Sequence, residues 1–322
     1  MTAAVVTALA VHLPPSCETN ADLAACFPDW PIDKIAAKTG IHRRHVSAPD
    51  ETAADLAVLA ARKLFAQGRV VPTDIDFLLL CTQSPDHLFP TTACLVQHRL
   101  GISTSAGALD FNLGCSGYVY GLGLAKGLIA SGQARRVLLL TAETYTKFID
   151  PHDRATRTLF GDAATATLIE ADAGHGGVIG ALVHGTDGAG GGNLIARHGG
   201  LRCPGRPLME MDGPEIFAFT LRAVPDCLDR LWARSGVQAQ SVDHFVFHQA
   251  NLFILEHLRR KLALPAERFA VHLADSGNTG SNTIPIVLDH LLVQSHVRPE
   301  QTLCLVGFGV GYSWAAGLVH WR

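Results

Sequence analysis

Short apolar runs alternate with amphipathic stretches along most of this chain. Asp76-Phe-Leu-Leu-Leu-Cys81 and Arg136-Val-Leu-Leu-Leu-Thr141 are continuous apolar segments of strand length. Without polar alternation, such runs predict strands covered on both faces. Around them, Thr91 to Leu100 and Tyr118 to Ser131 place apolar residues at helical spacing, and Gly132 stops the second. The apolar N-terminal segment carries no Lys or Arg to open a secretory signal. Pro14-Pro15 closes it, so it reads as a first strand. Strands alternating with helices predict an α/β protein.

The same order then returns. Ser241-Val-Asp-His-Phe-Val-Phe-His248 resembles Thr73-Asp-Ile-Asp-Phe-Leu-Leu-Leu80, with Asp243 lying 167 residues after Asp76. Thr302-Leu-Cys-Leu-Val306 follows Val137 to Thr141 at about the same offset, and Asn278 follows Cys115 by 163 residues. A shared offset predicts two fused copies of one α/β unit, residues 1–172 and 173–322. The segment from Gly185 to Pro207 is rich in glycine. It lacks the strand, helix and Lys-Ser/Thr of a phosphate loop and is expected to form a mobile surface loop.

Composition narrows the function classes. The chain has 322 residues, 48% hydrophobic and only 17% charged, which leaves little room for long disordered regions. A net charge of −3 with no block of like charges offers nucleic acid no footing. No apolar run reaches the roughly 18 residues of a membrane span, and the cytoplasm is the expected location. The eight cysteines form no C-x-x-C pair and are expected to be mostly small buried hydrophobes. His42 and His45 flank Arg43 and Arg44, which suggests a solvated helical face; no metal site is expected.

Three residues stand in stretches suited to aiming a side chain. Cys115 follows the strand-like Ala108-Leu-Asp-Phe and a glycine and precedes a helical pattern, a strand-turn-helix elbow. A helix N-terminus there favours thiolate over thiol, and the turn offers its own N–H to a developing oxyanion. His248 ends a strand, where α/β sheets usually place ligands, and Asn278 lies in a turn between Gly277 and Gly280. Taken singly, each also reads as a buried core cysteine, a satisfied core histidine and an ordinary turn asparagine. The repeat is what brings strand ends of both halves toward one centre. A thiol, an imidazole and a carboxamide together are the parts of a covalent acyl-transfer site.

At these residues the chain resembles the ketoacyl-acyl-carrier-protein synthase III family of thiolase-superfamily condensing enzymes. The likeness runs through Lys38-Thr-Gly-Ile-His-Arg-Arg-His45, Phe89-Pro-Thr-Thr-Ala93, Asp150-Pro-His-Asp-Arg154, Phe160-Gly-Asp162, His248-Gln-Ala-Asn251, Gly277-Asn-Thr279 and Gly307-Phe-Gly-Val-Gly311. It implies a thiolase-like fold of two duplicated halves in five αβαβα layers. It also implies that Cys115 takes an acyl group from acyl-CoA and that malonyl-CoA or malonyl carrier protein then condenses with loss of carbon dioxide. His248 and Asn278 would hold the enolate oxygen, and the N–H groups of Cys115 and Val310 a second oxyanion. Trp30 and Arg154 would sandwich the CoA adenine with Lys38 nearby. Gly213, Phe217 and Asn251 would line the pantetheine tunnel, and Phe89 would close the acyl pocket of the partner in a homodimer. Coenzyme A thioesters enter as substrates, with no cofactor.

The departures are local. Lys38 stands where the family often has Arg. Phe253 stands where it often has a basic residue that helps dock acidic carrier protein, with Arg259, Arg260 and Lys261 further along the helix. Val310 replaces the middle of a three-glycine loop. A thiolase would need a second cysteine in that loop, and a hydroxymethylglutaryl-CoA synthase would need a glutamate where Gln83 stands. A relative that transfers its acyl group to oxygen or nitrogen, or that condenses an unusual starter, stays open. So does a catalytically silent structural partner.

Overall fold

The computed structural model describes residues 2–322. The first half of the chain forms β1 (Ala4–His12), β2 (Cys17–Thr19), α1 (Asn20–Cys26), α2 (Ile32–Thr39), β3 (Arg43–His45), α3 (Ala53–Phe65), β4 (Phe77–Cys81), α4 (Thr92–Leu100), β5 (Gly107–Phe111), α5 (Gly117–Ala130), β6 (Arg136–Glu143), α6 (Arg154–Arg157) and β7 (Ala163–Ala171). Then follow β8 (Gly177–Thr186), β9 (Leu194–Ala196), β10 (Met209–Met211), α7 (Gly213–Ser235), β11 (His244–Phe247), α8 (Leu252–Lys261), α9 (Thr283–Val293), β12 (Thr302–Gly309) and β13 (Ser313–Trp321).

The strand order shows the duplication. Before β8 the order is β5-β4-β6-β7-β1; after it, β11-β12-β13-β8. In both, a parallel pair is followed by an antiparallel one: β4 with β6 and β11 with β12 are parallel, while β6 with β7 and β12 with β13 are antiparallel. The place of β5 is taken in the later set by a single parallel bridge between Phe245 and Phe269. Among the described residues the two sets pair strand to strand along β1 and β8, at Val5 with Val178 and Val6 with Gly177.

Three cores account for the unbroken apolar strands. On β6, Val137 and Leu139 face the central helices α5 and α9, while Leu138 and Leu140 face α3 and α4. On β12, Leu303 and Leu305 face α5 and α9, while Cys304, Val306 and Phe308 face α7 and α8. Side chains alternate across each strand, and each face meets helices, so neither face needs polar residues. The result is five layers, helix–sheet–helix–sheet–helix, as expected.

Two local expectations fail. Arg43 to His45 form a short strand against β2 rather than a helical face. Arg44 is fully buried there, its guanidinium donating to Asn20 at the start of α1, because α1 and α2 bring β3 back to pair with β2. Only Cys81, Cys115, Cys227 and Cys304 are buried; Cys17, Cys26 and Cys94 are exposed.

The start of α5 carries the candidate nucleophile, so the packing of this helix holds the site in place. Leu122, on its buried face, is 1% exposed in the central core. Leu122→Ala is expected to lower the unfolding free energy by about 2–5 kcal/mol, read from denaturant melts.

Candidate active site

Cys115 sits in the turn between β5 and α5, beneath the end of β12. Close approach of two glycines brings β12 there. A Cβ at Gly309 would stand 2.7 Å from Cys115 Sγ, and one at Gly307 would stand 2.7 Å from Ser116 Cα. Gly117 leaves room for Cys81 in the same way, since a Cβ would meet its sulfur. Backbone N–H groups of Val310 and Cys115 act on the Cys115 thiol to lower its pKa, against the effect of burial.

The thiolate expectation is overturned. Cys115 is 6% exposed, and its thiol is pushed up to about 12 by burial, with Glu143 adding to the rise. The two N–H groups oppose this without offsetting it. Desolvation outweighs the helix terminus, so the free enzyme holds a neutral thiol.

His248 lies just past β11, its N–H donating to the Val306 carbonyl at 2.8 Å. Its ring packs edge-on against Phe308 with centroids 5.5 Å apart. Burial drives its pKa down to about 3, so the imidazole is neutral. Nδ1 lies 2.7 Å from Thr283 Oγ1, and that hydroxyl also reaches the Gly280 carbonyl at 3.1 Å. Thr283 can therefore serve either tautomer. It accepts from Nδ1–H while donating to Gly280, or it donates to Nδ1 and leaves the proton on Nε2.

Asn278 is fixed between the two strand sets. Its N–H donates to Leu159 at 2.8 Å, and its carbonyl accepts from Gly161 at 3.1 Å. Oδ1 accepts from the Gly280 N–H at 3.0 Å, which makes Nδ2 the donor end; it makes one long hydrogen bond, to the Ala250 carbonyl at 3.5 Å. Gly277 and Gly280 both have positive φ, 67° and 60°, as a sharp turn around Asn278 requires.

The remaining expected positions are more scattered. The Arg154 guanidinium lies over Trp30 at 5.4 Å and over Phe27 at 5.2 Å, so the two proposed adenine walls stand against each other. Lys38 places its ammonium over the Phe253 ring at 4.8 Å. The two departures from the family pattern thus form one pair, which keeps a cation at that spot. Phe217 packs on Phe253 at 5.3 Å. Gly213 opens α7 with free space where a Cβ would be. Asn251 caps α8, its Oδ1 accepting from Ile254 at 2.9 Å. Phe89 is 85% exposed and does not line the cavity that opens onto Cys115.

A cavity of about 510 Å³ opens onto Cys115, bounded by Tyr145, Phe148, Phe160, Leu194 and Met209. Leu194 and Met209 come from the paired strands β9 and β10. The glycine-rich segment is therefore not a free surface loop: it starts in β8, turns through Gly188–Asn193 and walls this cavity.

Sequence reasoning missed Glu143. Its carboxyl is fully buried and accepts from Gln83 N–H at 3.0 Å, Ser84 Oγ at 3.0 Å and Ser281 Oγ at 3.1 Å. It joins the end of β6 to the loop that carries Asn278. The glutamate ending a predicted strand next to Thr144 was the only available signal. Burial raises its pKa from 4.5 to about 8. A carboxyl with a raised folded pKa binds its proton more tightly when folded, so stability falls as pH rises through that window. Between pH 5 and 8 the wild type should lose about 1.4 kcal/mol per pH unit relative to Glu143→Gln, measured by denaturant melts at each pH.

Among the described residues no cluster of three or more His, Cys, Asp or Glu side chains could hold a metal, and no helix is long and apolar enough to cross a membrane. Family models for 3-oxoacyl-[acyl-carrier-protein] synthase III match residues 109–188, and for its C-terminal part residues 232–321. The chain is 36% identical over 328 aligned positions to the beta-ketoacyl-[acyl-carrier-protein] synthase III 3 of Streptomyces coelicolor, covering 99% of this chain and 97% of that one. It is similar to a crystal structure of a 3-oxoacyl-(acyl-carrier-protein) synthase III at 50% identity and a TM-score of 0.96, covering 99% and 100% of the two chains. The FabH of Pseudomonas aeruginosa PAO1 matches at 34% identity and a TM-score of 0.91, covering 99% and 98%. This chain belongs to the 3-oxoacyl-acyl-carrier-protein synthase III family.

Proposed function

We propose that this protein is a condensing enzyme that joins an acyl group to a malonyl thioester and releases a 3-oxoacyl thioester. The observation that carries this is the buried, uncharged set of Cys115, His248 and Asn278, with Asn278 held so that it donates. In the first step His248 Nε2 takes the Cys115 proton as Sγ attacks the acyl-CoA carbonyl. The CoA sulfur leaves as the thiolate and is protonated from solvent, and the imidazolium gives up its Nδ1 proton to solvent, which leaves the Nε2–H tautomer for the second step. In the second step malonyl thioester loses carbon dioxide. The enolate oxygen then receives hydrogen bonds from His248 Nε2–H and Asn278 Nδ2–H, with Thr283 donating to Nδ1. Uncharged donors suit a charge that appears only in the transition state. The carbanion attacks the Cys115 thioester, the N–H groups of Cys115 and Val310 hold the resulting oxyanion, and Cys115 leaves as the thiolate and regains a proton from solvent.

The division into residues 1–172 and 173–322 is part of this reading; β7 ends at Ala171 and β8 begins at Gly177. So are acyl-CoA as first substrate and malonyl-CoA or malonyl carrier protein as second, with the CoA arm running past Phe217, Gly213 and Asn251. Coenzyme A thioesters are substrates here, and the chemistry needs no further cofactor. A homodimer is supported by the free edge of β5, where Leu109 is 38% exposed, and by Leu88 and Phe89, exposed at 73% and 85%. Eight free cysteines fit a reducing compartment such as the cytoplasm.

Asn278→Ala is expected to acylate Cys115 near the wild-type rate but to release carbon dioxide from labelled malonyl-CoA about a hundredfold more slowly. His248→Ala should lose decarboxylation similarly and slow acylation as well. An enzyme that never releases carbon dioxide, yet passes its acyl group to a hydroxyl or amine, would replace condensation with simple transfer.

A further inference from the structure

The cavity beside Cys115 is walled mostly by apolar residues, with Asn112 and His198 as well as Gln83 and Tyr145 in its polar lining, and one polar point lies beside the residue that precedes the nucleophile. There Gln83 and Tyr145 form a fixed polar pair. The Tyr145 hydroxyl donates to Gln83 Oε1 at 2.8 Å. The Gln83 N–H is pinned to the Glu143 carboxyl at 3.0 and 3.2 Å. Tyr145 is wedged against Gly280, where a Cβ would come within 2.6 Å of its hydroxyl. Both side chains abut the residue before the nucleophile. A Cβ at Gly114 would stand 2.5 Å from Gln83 Oε1 and 3.0 Å from the Tyr145 hydroxyl.

This arrangement sets which end of the carboxamide faces the cavity. A buried phenol has to donate, and the Tyr145 hydroxyl makes no other hydrogen bond among the described residues, so it takes Oε1. Nε2 then presents two N–H groups with no partner among the described residues, at a position that lines the cavity. Water can satisfy them in the free enzyme. An acyl chain attached to Cys115 displaces that water. A plain hydrocarbon chain would strand the donors, whereas a chain with an oxygen close to the thioester would satisfy them.

We infer that Gln83, oriented by Tyr145, is a specificity residue, and that the preferred starters are acyl thioesters longer than acetyl that carry a hydroxyl or carbonyl oxygen at or near carbon 3. The inference rests on Cys115 being the acylated residue. The covalent step is the one already described: Sγ–C1 forms, the C1–S bond to CoA breaks, and the oxygen substituent takes no part beyond accepting a hydrogen bond from Nε2.

The test compares 3-hydroxyhexanoyl-CoA with hexanoyl-CoA, which match in chain length. The rate of acyl-enzyme formation below saturation is followed by mass spectrometry of the intact protein, with the adduct located by peptide mapping. The wild type should favour the hydroxylated substrate by about fivefold. Gln83→Met keeps the length and removes the donors, and should bring the ratio to about one or below. Tyr145→Phe releases the carboxamide and should reduce the ratio without removing it. Thermal melts establish that each variant is folded, and the wild-type ratio decides the matter even if neither is. Equal rates for the two substrates with wild-type enzyme, or a preference that persists in Gln83→Met, would overturn this inference while leaving acylation of Cys115 intact. Absence of any Cys115 adduct with either substrate would instead remove the underlying reading, and this inference with it.

Discussion

Desolvation of the reaction centre is the constraint on which the other features depend. Cys115, His248 and Glu143 are all removed from water where the two strand sets meet, and burial shifts each toward its uncharged form. A buried charge needs a partner or gives way to the neutral species. Here the neutral species is useful. An uncharged thiol does not react with stray electrophiles, and an uncharged imidazole can take its proton when an acyl thioester is in place. Charge is then created only in steps where fixed donors are aimed at it, in surroundings that screen it weakly.

The fold supplies this burial. Strand ends from both sets and the N-terminus of α5 meet at one level, and glycines remove the side chains that would hold them apart. Gly307 and Gly309 let β12 reach the Cys115 turn, and Gly280 lets Tyr145 fit beneath the Asn278 loop. Glu143 fastens that loop to the end of β4 through Ser281, Gln83 and Ser84. The same carboxyl thereby links the decarboxylation donors to the wall of the acyl cavity, so the two half-reactions share one hydrogen-bonded support.

Much of this was legible in the sequence. Unbroken runs such as Val137 to Leu140 announced strands covered on both faces, and the recurring offset announced the duplication. The Cys115 elbow, His248 beyond a strand and Asn278 between glycines were each placed where expected. What the sequence concealed was tertiary. The ionisation of Cys115 was misread because the favourable helix terminus is visible in local order, whereas the burial that defeats it comes from β12, far along the chain. Arg44 was read as solvated because nothing near it signals the pairing with β2, which lies beyond two helices. The stretch after Gly185 lacks hydrophobic periodicity, yet pairing of Leu194–Ala196 with Met209–Met211 makes it a cavity wall. Glu143 gave only the weak sign of a glutamate ending a strand and Gln83 gave none, since their roles consist of contacts across 59 or more positions.

The central claim is that burial keeps Cys115 protonated until substrate binds. Its most direct test is the thiolate absorbance near the ultraviolet edge, titrated with pH in wild-type enzyme minus Cys115→Ser, so that the exposed Cys17, Cys26 and Cys94 cancel. The expected difference spectrum shows no thiolate at neutral pH and rises only well above pH 9, in keeping with a thiol pushed up to about 12. A thiolate half-formed near pH 7 in the free enzyme would contradict the account, because the helix terminus and the two N–H donors would then outweigh desolvation.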